Sequence, residues 1–444
     1  MMSIQKTKNF NKLHSKLITK FFITFSVNIF ICLFAFINVS KADKIFIPMD
    51  LSQKDHLKAY GVAFYALKQN MVVDWLLNYK NGSFMLDDNG EIATECRIRG
   101  VTFDKISEGS AQSIIAEIKK EEANMDVMKL EKAPKIAVYV TPGNQPWDDA
   151  VRLVLEYAEI EHDLVWDEEV INGKLKNYDW IHLHHEDFTG QYGKFWLNYR
   201  NETWYQQLKL TNEAMAQKLG FDKVSEMKKA VALKLRSFIA EGGFLFAMCS
   251  ATDSYDIAIS AINTDICDTP FDNDPIDYNY KSKLDFSETL AFENFSIIHD
   301  SYIYEFSDID TGFEKAFQPG SDANDYFTLF DFSAKYDPVP TMLTQNHVNI
   351  VKGFLGQTTA FKKEFIKKSV LILGMKEGTD EVKYIHGNVG RGFFTWYGGH
   401  DPEDYRHAVG DAPTVVSLYK QSPGYRLILN NILFPAAKKK KQKT

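Results

Sequence analysis

Two stretches of this 444-residue chain hold the residue types best suited to chemistry. In the first, "GGFLFAMCSATDSYDIAI" (242–259), an apolar run leads directly into Cys249, and the small residues Ser250 and Ala251 follow. A thiol where a strand turns into a helix feels the positive end of the helix dipole, which favours the thiolate. Thr252 or Asp253 can cap that helix. In the second, "FFTWYGGHDPEDY" sets His400 after another strand and two glycines, with Asp401, Glu403 and Asp404 behind it. On neighbouring strand ends these groups would supply a nucleophile (Cys249), a base (His400) and an orienting carboxylate (Glu403 or Asp401). Plainer roles stand beside these. Cysteine is often a small buried apolar residue, and a loop histidine among acids is often simply satisfied by them.

A third cluster is "WIHLHHEDF". On a strand His182 and His184 share one face and His185 takes the other. His184, His185, Glu186 and Asp187 then crowd the strand end. Such a group can bind zinc or another divalent ion, or it can line a pocket beside Cys249 together with Ser250. The spacing matches no strong metal motif, so these residues are assigned to the pocket, with no metal and no cofactor. "DICDTPFDNDPIDY" (265–278) carries five aspartates but lacks the ligand spacing and glycine of a calcium loop; Asx turns explain it more simply. The aromatic group "QYGKFWLNYRNETWYQ" suits either sugar stacking or ring packing.

Such groups meet only if strands bring them to one edge. "KIFIPMD" (44–50) and "VVDWLL" have the apolar character of buried strands, and between them Leu57, Tyr60, Phe64 and Leu67 fall at helical spacing. "GSFMLDDNGEIATECRIRGVTF" predicts a hairpin turning at Asp88-Asn89-Gly90, followed by a polar helix from about Ala111 to Met128. The pattern then restarts: "KIAVYVTPG" as a strand, "WDDAVRLVLEYAEI" as a helix, "HDLVWDEEVI" as a short strand. This predicts two α/β units, a Rossmann-like one over 43–133 and a second over 134–436, with parallel strands flanked by helices. The second unit continues with "YDWIHLHHED", helices near 203–218 and 223–240, and "GGFLFAM". A β-rich insertion over 265–345 follows, then the strands "SVLILGM" and "GRGFFTWYGG". "SPGYRLILNNILFP" closes the unit as a helix, with Ser422 as cap and Pro423 in its first turn. Ligands of such sheets bind beyond the carboxyl ends of the strands, where Cys249 and His400 both fall.

Apolar residues make up 45% and charged residues 25% of the chain, ordinary for a globular protein of about two domains. A net charge of −8 argues against a large nucleic-acid footprint. The lysines 438–441, within a basic tail 437–444, suit a solvated end. At the other end Lys6, Lys8, Lys12, Lys16 and Lys20 precede "FFITFSVNIFICLFAFINV" and the small residues of "SKA" ending at Ala42. Residues 1–42 thus have the form of a secretory signal, with a retained anchor helix as the other reading. A periplasmic or secreted location follows, with membrane contact only through that segment and a small molecule as the expected partner. Three cysteines remain beyond it: Cys96, Cys249 and Cys267. A bridge between Cys96 and Cys267 would leave Cys249 free.

The stretch from about 135 to 436 resembles the class I glutamine amidotransferase-like fold, including its trehalose-utilisation (ThuA-like) relatives. That family carries a Gly-x-Cys-x-Gly elbow and a late His-Pro-Glu. Here the corresponding residues are Ala247-Met248-Cys249-Ser250-Ala251 and His400-Asp401-Pro402-Glu403. Alanines replace the glycines, one residue is inserted after the histidine, and "HHEDFTGQ" stands where the family has its Pro-Gly-Gly oxyanion loop. The resemblance implies a cysteine-dependent hydrolase or amide-transfer enzyme. Cys249 would attack an acyl carbon, His400 would move the proton, and Glu403 or Asp401 would orient it. Exported bacterial chains with "IPMDLSQKDHLKAYG" near the start and "GGHDPEDY" near the end are also often labelled asparagine synthetase B, and "SATDSYDIA" is similar to a pyrophosphate loop, Ser-Gly-Gly-x-Asp-Ser. Without both glycines its amides cannot wrap a pyrophosphate, and Met2 follows Met1 where that enzyme has cysteine, which points away from ATP-dependent asparagine synthesis. The competing reading is a non-catalytic ligand-binding protein on the same scaffold, with carbohydrate as one candidate; a metal-assisted enzyme using the histidines comes third.

Overall fold

The computed structural model describes residues 44–142, 148–311, 320–337 and 344–437. The leader expected over 1–42 and the basic tail from 438 lie outside the described residues. Residues from Lys44 onward form one compact unit. Among the described residues no helix is long and apolar enough to cross a membrane.

Five strands make a first sheet: β1 (Lys44–Ile47), β2 (Val73–Leu77), β3 (Ser83–Asp87), β4 (Asp104–Ile106) and β5 (Asp126–Leu130), in the order β4-β1-β3-β2-β5. Every pairing in it is antiparallel, so 43–133 is not the Rossmann-like unit that its strand–helix alternation predicts. The cause is local. Only residues 78–82 join β2 to β3, with Asn78, Lys80, Asn81 and Gly82 at positive φ. A connection that short can only fold a strand back beside its predecessor.

The hairpin expected at Asp88-Asn89-Gly90 is also replaced. Asp88 Oδ1 accepts the Gly90 N–H at 2.8 Å and Asn89 Oδ1 accepts the Ile92 N–H at 3.0 Å. These side chains open a helix, α2 (Glu91–Arg99), instead of a turn between strands. It follows α1 (His56–Lys68). The polar helix predicted next is shorter than expected: α3 spans Glu108–Ile118 and the chain then returns as β5.

The second sheet is mixed. Its parallel half runs β15 (Gly392–Tyr397), β9 (Phe244–Met248), β8 (Trp180–Leu183), β6 (Ile136–Tyr139), β7 (Asp163–Val165). The crossovers are helical, as parallel strands require: α4 (Ala150–Ala158) joins β6 to β7, α5 (Asp167–Ile171) lies between β7 and β8, and α6 (Thr203–Lys218) and α7 (Val224–Ala240) lie between β8 and β9. α8 (Ser250–Ser260) follows β9. Every residue of β9 is buried, which explains its unbroken apolar sequence. On the other side of β15 the sheet continues antiparallel through β14 (Glu381–Val389), β13 (Leu371–Met375), β10 (Tyr326–Leu329) and β11 (Ile350–Lys352), with β12 (Phe361–Lys362) on β14. The chain is therefore an α/β protein with mixed parallel and antiparallel pairing.

The insertion is not β-rich. Among the described residues of 265–345, β10 is the one regular strand. Carboxylates hold the rest. Asp256 accepts N–H groups from Leu290, Ala291 and Phe292 at 2.6, 2.8 and 2.8 Å. Lys223 reaches Asp265 at 2.6 Å and Lys283 reaches Asp277 at 2.7 Å, so ammonium groups sit among the aspartates. The aromatic group packs on itself, with Trp204 against Phe195 and Tyr199 at centroid distances of 5.5 and 5.1 Å.

One hydrophobic core runs through both sheets, filled by α1, α4 and the closing helix α9 (Pro423–Leu433), whose Ser422 cap accepts from the Tyr425 N–H. A Cβ on Gly61 of α1 would lie 1.8 Å from the Ala158 carbonyl oxygen of α4; only glycine permits that approach. Cys96, Cys249 and Cys267 are all buried free thiols, so the Cys96–Cys267 bridge does not form. Cys96 packs in this core, while Cys267 sits under the aromatic group with its sulfur 3.4 Å from the Gly190 carbonyl.

Candidate functional site

Parallel register brings the carboxyl ends of β8, β9 and β15 together: Leu183 pairs with Ala247, and Met248 with Tyr397. The residues that follow, His184-His185-Glu186, Cys249 and His400, therefore meet at one rim.

Cys249 forms the turn from β9 into α8 with φ 49° and ψ −140°, a backbone conformation that non-glycine residues hold only under constraint. Its N–H donates to the Gly399 carbonyl at 3.1 Å and its carbonyl accepts from the Thr252 N–H and Oγ. The residue is 2% exposed. Burial pushes the thiol up to about 11, against the pull of the Thr358, Gln357 and Ser250 N–H groups near the sulfur. Thr358 is fixed by its hydroxyl, which donates to Asp253 Oδ1 at 2.8 Å. Ser250 is buried and starts α8, whose residues are all buried; the stretch similar to a pyrophosphate loop is thus helix interior.

His400 is on the other side of this turn. It is 7% exposed, and neither ring nitrogen has a hydrogen-bond partner among the described residues, the Cys249 sulfur included. Its ring faces other histidines instead: His184 at 4.5 Å between centroids, His185 at 5.9 Å, and His407 at 4.5 Å and nearly parallel. Burial, then the charge of these rings, holds His400 well below the usual histidine range. The carboxylates expected to orient it are engaged elsewhere. Asp401 accepts the Tyr425 hydroxyl at 2.9 Å and the Glu403 N–H at 2.8 Å, and Glu403 is turned toward Ser422.

Carboxylates that do orient rim histidines come from residues the sequence left unassigned. Asp149 caps α4 by accepting from Val151 and Arg152 N–H groups, and the same Oδ1 lies 3.3 Å from His182 Nε2 and 3.2 Å from His184 Nδ1. Asp148 and Asp404 flank His407 at 3.0 and 2.9 Å and raise its ring to about 9. The Asp148 contact lies off the N–H axis and is an ion pair rather than a hydrogen bond. The readable signal for the first pair was Asp148-Asp149 directly before an amphipathic helix. For the second it was Asp404 three residues before His407.

Proton positions within this cluster follow from the acceptors. His182 Nδ1 lies 3.1 Å from the Phe246 carbonyl, which can only accept, so that nitrogen carries the proton. Burial keeps His182 below the usual range, and its neutral ring leaves Nε2 to accept from His184 Nδ1 at 3.3 Å. His184 thus holds its proton on Nδ1, toward His182, with the Asp149 carboxylate beside it. Its Nε2 is fully buried and has no partner among the described residues.

Glu186 accepts the His184 N–H at 2.8 Å, and burial followed by the Asp149 charge pushes its carboxyl up to about 7. Asp187 accepts from Thr189 and Gly193 and serves the loop. A narrow cleft leads to His185 and Glu186, bordered by Thr141, Tyr192, Asn212 and Lys228. The structure thus brings His184, His185, Glu186 and His400 to one rim, with His185 and Glu186 lining the cleft, and leaves the Cys249 sulfur without an imidazole hydrogen bond.

No protein-family model matches this chain, and no curated protein matches it. Among solved structures it is similar to cytoplasmic protein STM3548 from Salmonella typhimurium, at 10% identity over 69% of this chain and 100% of that one, with a TM-score of 0.33. It is also similar to cytoplasmic protein STM1381 from Salmonella typhimurium LT2, at 12% identity over 68% of this chain and 100% of that one, with a TM-score of 0.34. A GH42 beta-galactosidase, Gan42B from G. stearothermophilus, matches at 10% identity over 61% of this chain and 28% of its own, with a TM-score of 0.25. All three are loose likenesses.

Proposed function

We propose that this chain is an exported hydrolase or acyl-transfer enzyme on an amidotransferase-like scaffold, acting on a small molecule at the rim formed by β8, β9 and β15. One observation carries the reading. Buried histidine ring nitrogens without a partner among the described residues, His184 Nε2 and both nitrogens of His400, lie together at that rim, and a narrow cleft reaches the adjoining His185. A partnerless lone pair on a neutral imidazole is open to a proton from an attacking nucleophile; burial keeps the His400 ring neutral and also makes it a weak base. The neighbouring Glu186 carboxyl can pass a proton to the leaving group. Export is inferred from the basic-then-apolar sequence of residues 1–42.

A second reading, with Cys249 as the attacking group, is favoured by its strained backbone at a strand-to-helix turn. Its thiol, at about 11, is ionised on the order of one part in ten thousand at pH 7, so attack would need a base that the resting arrangement does not supply.

The test is hydrolysis of a panel of aryl esters and carboxamides by the full chain. A loss of about 10²-fold or more in both His400→Ala and Glu186→Gln, with unchanged melting curves, supports the first reading. A comparable loss only in Cys249→Ser supports the second. Turnover unchanged in all three variants, or turnover of no panel member, would sink the enzymatic proposal.

A further inference from the structure

We infer that His184, His185 and His400 form a site for one divalent transition-metal ion of the zinc class, with Asp149 and His182 as the groups that orient it. Each of the three rings offers one nitrogen, and these atoms lie within 4.8 Å of one another. Three imidazoles around a tetrahedral ion at about 2.0–2.1 Å have nitrogens roughly 3.4 Å apart, a spacing that modest ring rotations reach.

Two further observations point to an ion rather than to a packed histidine cluster. First, His184 Nε2 is fully buried and has no partner among the described residues, while its Nδ1 is hydrogen-bonded to His182 Nε2 at 3.3 Å and has the Asp149 carboxylate 3.2 Å away as an ion-pair contact. In a metal-bound histidine an acceptor holds the second ring nitrogen, which fixes the tautomer and aims the lone pair at the metal; here His182 is that acceptor, with Asp149 beside it. The chain from the Phe246 carbonyl through His182 to His184 enforces that tautomer. Second, His400 is buried with both ring nitrogens partnerless, although it stacks on His407 at 4.5 Å. His407 lies between Asp148 and Asp404, 3.0 and 2.9 Å away. His407 thus supports His400 and does not itself face the proposed ion.

The chemistry of the donor set selects the ion. Three imidazoles without a carboxylate ligand favour zinc, copper, nickel or iron over calcium or magnesium. Three protein ligands leave a fourth position open, the pattern of catalytic rather than structural zinc. The cleft that reaches His185 and Glu186 gives that position access to a small molecule. With the ion bound, the His184 and His400 lone pairs are occupied. A catalytic role for it, as activator of a water, would then replace the imidazole base while resting on the enzymatic reading above; its binding does not rest on that reading.

Full-length chain stripped with EDTA and titrated with zinc sulfate by calorimetry tests the site, with cobalt(II) substitution as the spectroscopic readout. One ion per chain is expected, with four-coordinate cobalt bands. His400→Ala should weaken binding at least 100-fold, and Asp149→Asn by 10- to 100-fold. His299→Ala, outside the cluster, should bind as the wild type does. Asp149→Asn keeps side-chain volume and serves where His184→Ala or His400→Ala fails to fold. No binding tighter than millimolar, or binding unchanged in His400→Ala and Asp149→Asn, overturns the site. Metal bound without any ester or amide turnover keeps the site and removes the enzymatic reading; turnover that survives EDTA in a chain that binds no zinc does the reverse.

Discussion

The backbone N–H of Cys249 donates to the carbonyl of Gly399 at 3.1 Å, so the strained turn and the residue that carries His400 are held as one piece. Gly399 itself has φ +93°, and a Cβ there would lie 2.5 Å from Phe354 Cδ2 and 2.7 Å from Lys383 Nζ. Gly399→Ala is therefore expected to lower unfolding free energy by about 2 kcal/mol or more in urea. Any rim activity should fall with it, because His400 is displaced. A change below about 0.5 kcal/mol would mean that this loop tolerates the added methyl and does not clamp the rim.

Strain at position 249 has its own signature. At an ordinary site glycine is less stable than alanine by roughly 0.5–1 kcal/mol. With φ 49° and ψ −140° the order should reverse. Cys249→Gly is expected to be more stable than Cys249→Ala by about 1–3 kcal/mol. Matched thermal melts of the two variants decide it, and the ordinary order would show the turn to be relaxed.

Buried or half-buried neutral histidines make the fold acid-sensitive, and one pair of them lies outside the rim cluster. The rings of His56 and His347 lie 4.6 Å apart; burial, then the charge of Arg426, holds them near 4 and near 3. Both are below the value of about 6.5 expected in the unfolded chain. Unfolding therefore takes up protons below pH 6.5. The stability that these neutral rings contribute is complete above that pH and is lost as pH falls toward 4. The expected slope between pH 6 and 5 approaches 1.4 kcal/mol per pH unit for each histidine. A His56→Asn, His347→Asn double variant should make that part of the urea stability profile less steep, the remainder coming from other buried histidines such as His386 and His400; an identical profile would show that this pair contributes nothing.

Arg426 is fully buried and has no carboxylate among its bonded partners. It donates to the Met49 carbonyl at 3.0 Å, the Tyr60 hydroxyl at 3.1 Å and the Asn81 carbonyl, joining α9 to the first sheet. Arg426→Met keeps the length but strands these acceptors, at an expected cost of about 3 kcal/mol. Denaturant midpoints measure it. A loss under about 1 kcal/mol would mean that the acceptors find other donors.

How much of this was legible beforehand follows from which residues carry the signal. Unbroken apolar runs announced β6, β8, β9 and β15, and helical spacing placed α6 and α7 almost to the residue, because full burial and amphipathic packing leave period and composition in the sequence. Strand β14 escaped because Lys383 and His386 are buried within it, so polar residues stand where apolar ones are expected. The direction of pairing in the first sheet depended on a short loop between β2 and β3 and on Asp88 and Asn89 acting as helix caps rather than turn residues. At the site, residue types pointed to Cys249, His400 and the 184–187 cluster. What they could not specify was side-chain direction. Asp149 reaches His184 only because α4 begins beside β8, and His407 reaches His400 only through the turn after Asp401. Contacts made across segments leave no local period to read.

The closing helix has a consequence for how this protein comes into being. Tyr60 and Asn430 bond across 370 positions of chain, and Arg426 reaches Met49 across 377. A ribosome delivers the amino end first, so the early antiparallel strands and α1 emerge before the helix that packs on α1 and α4 has been made. Until the last few dozen residues arrive, the nascent polypeptide has to persist with an open apolar face. The core shared by α1, α4 and α9 is therefore completed only after α9 has been made, and contacts this distant along the chain slow folding.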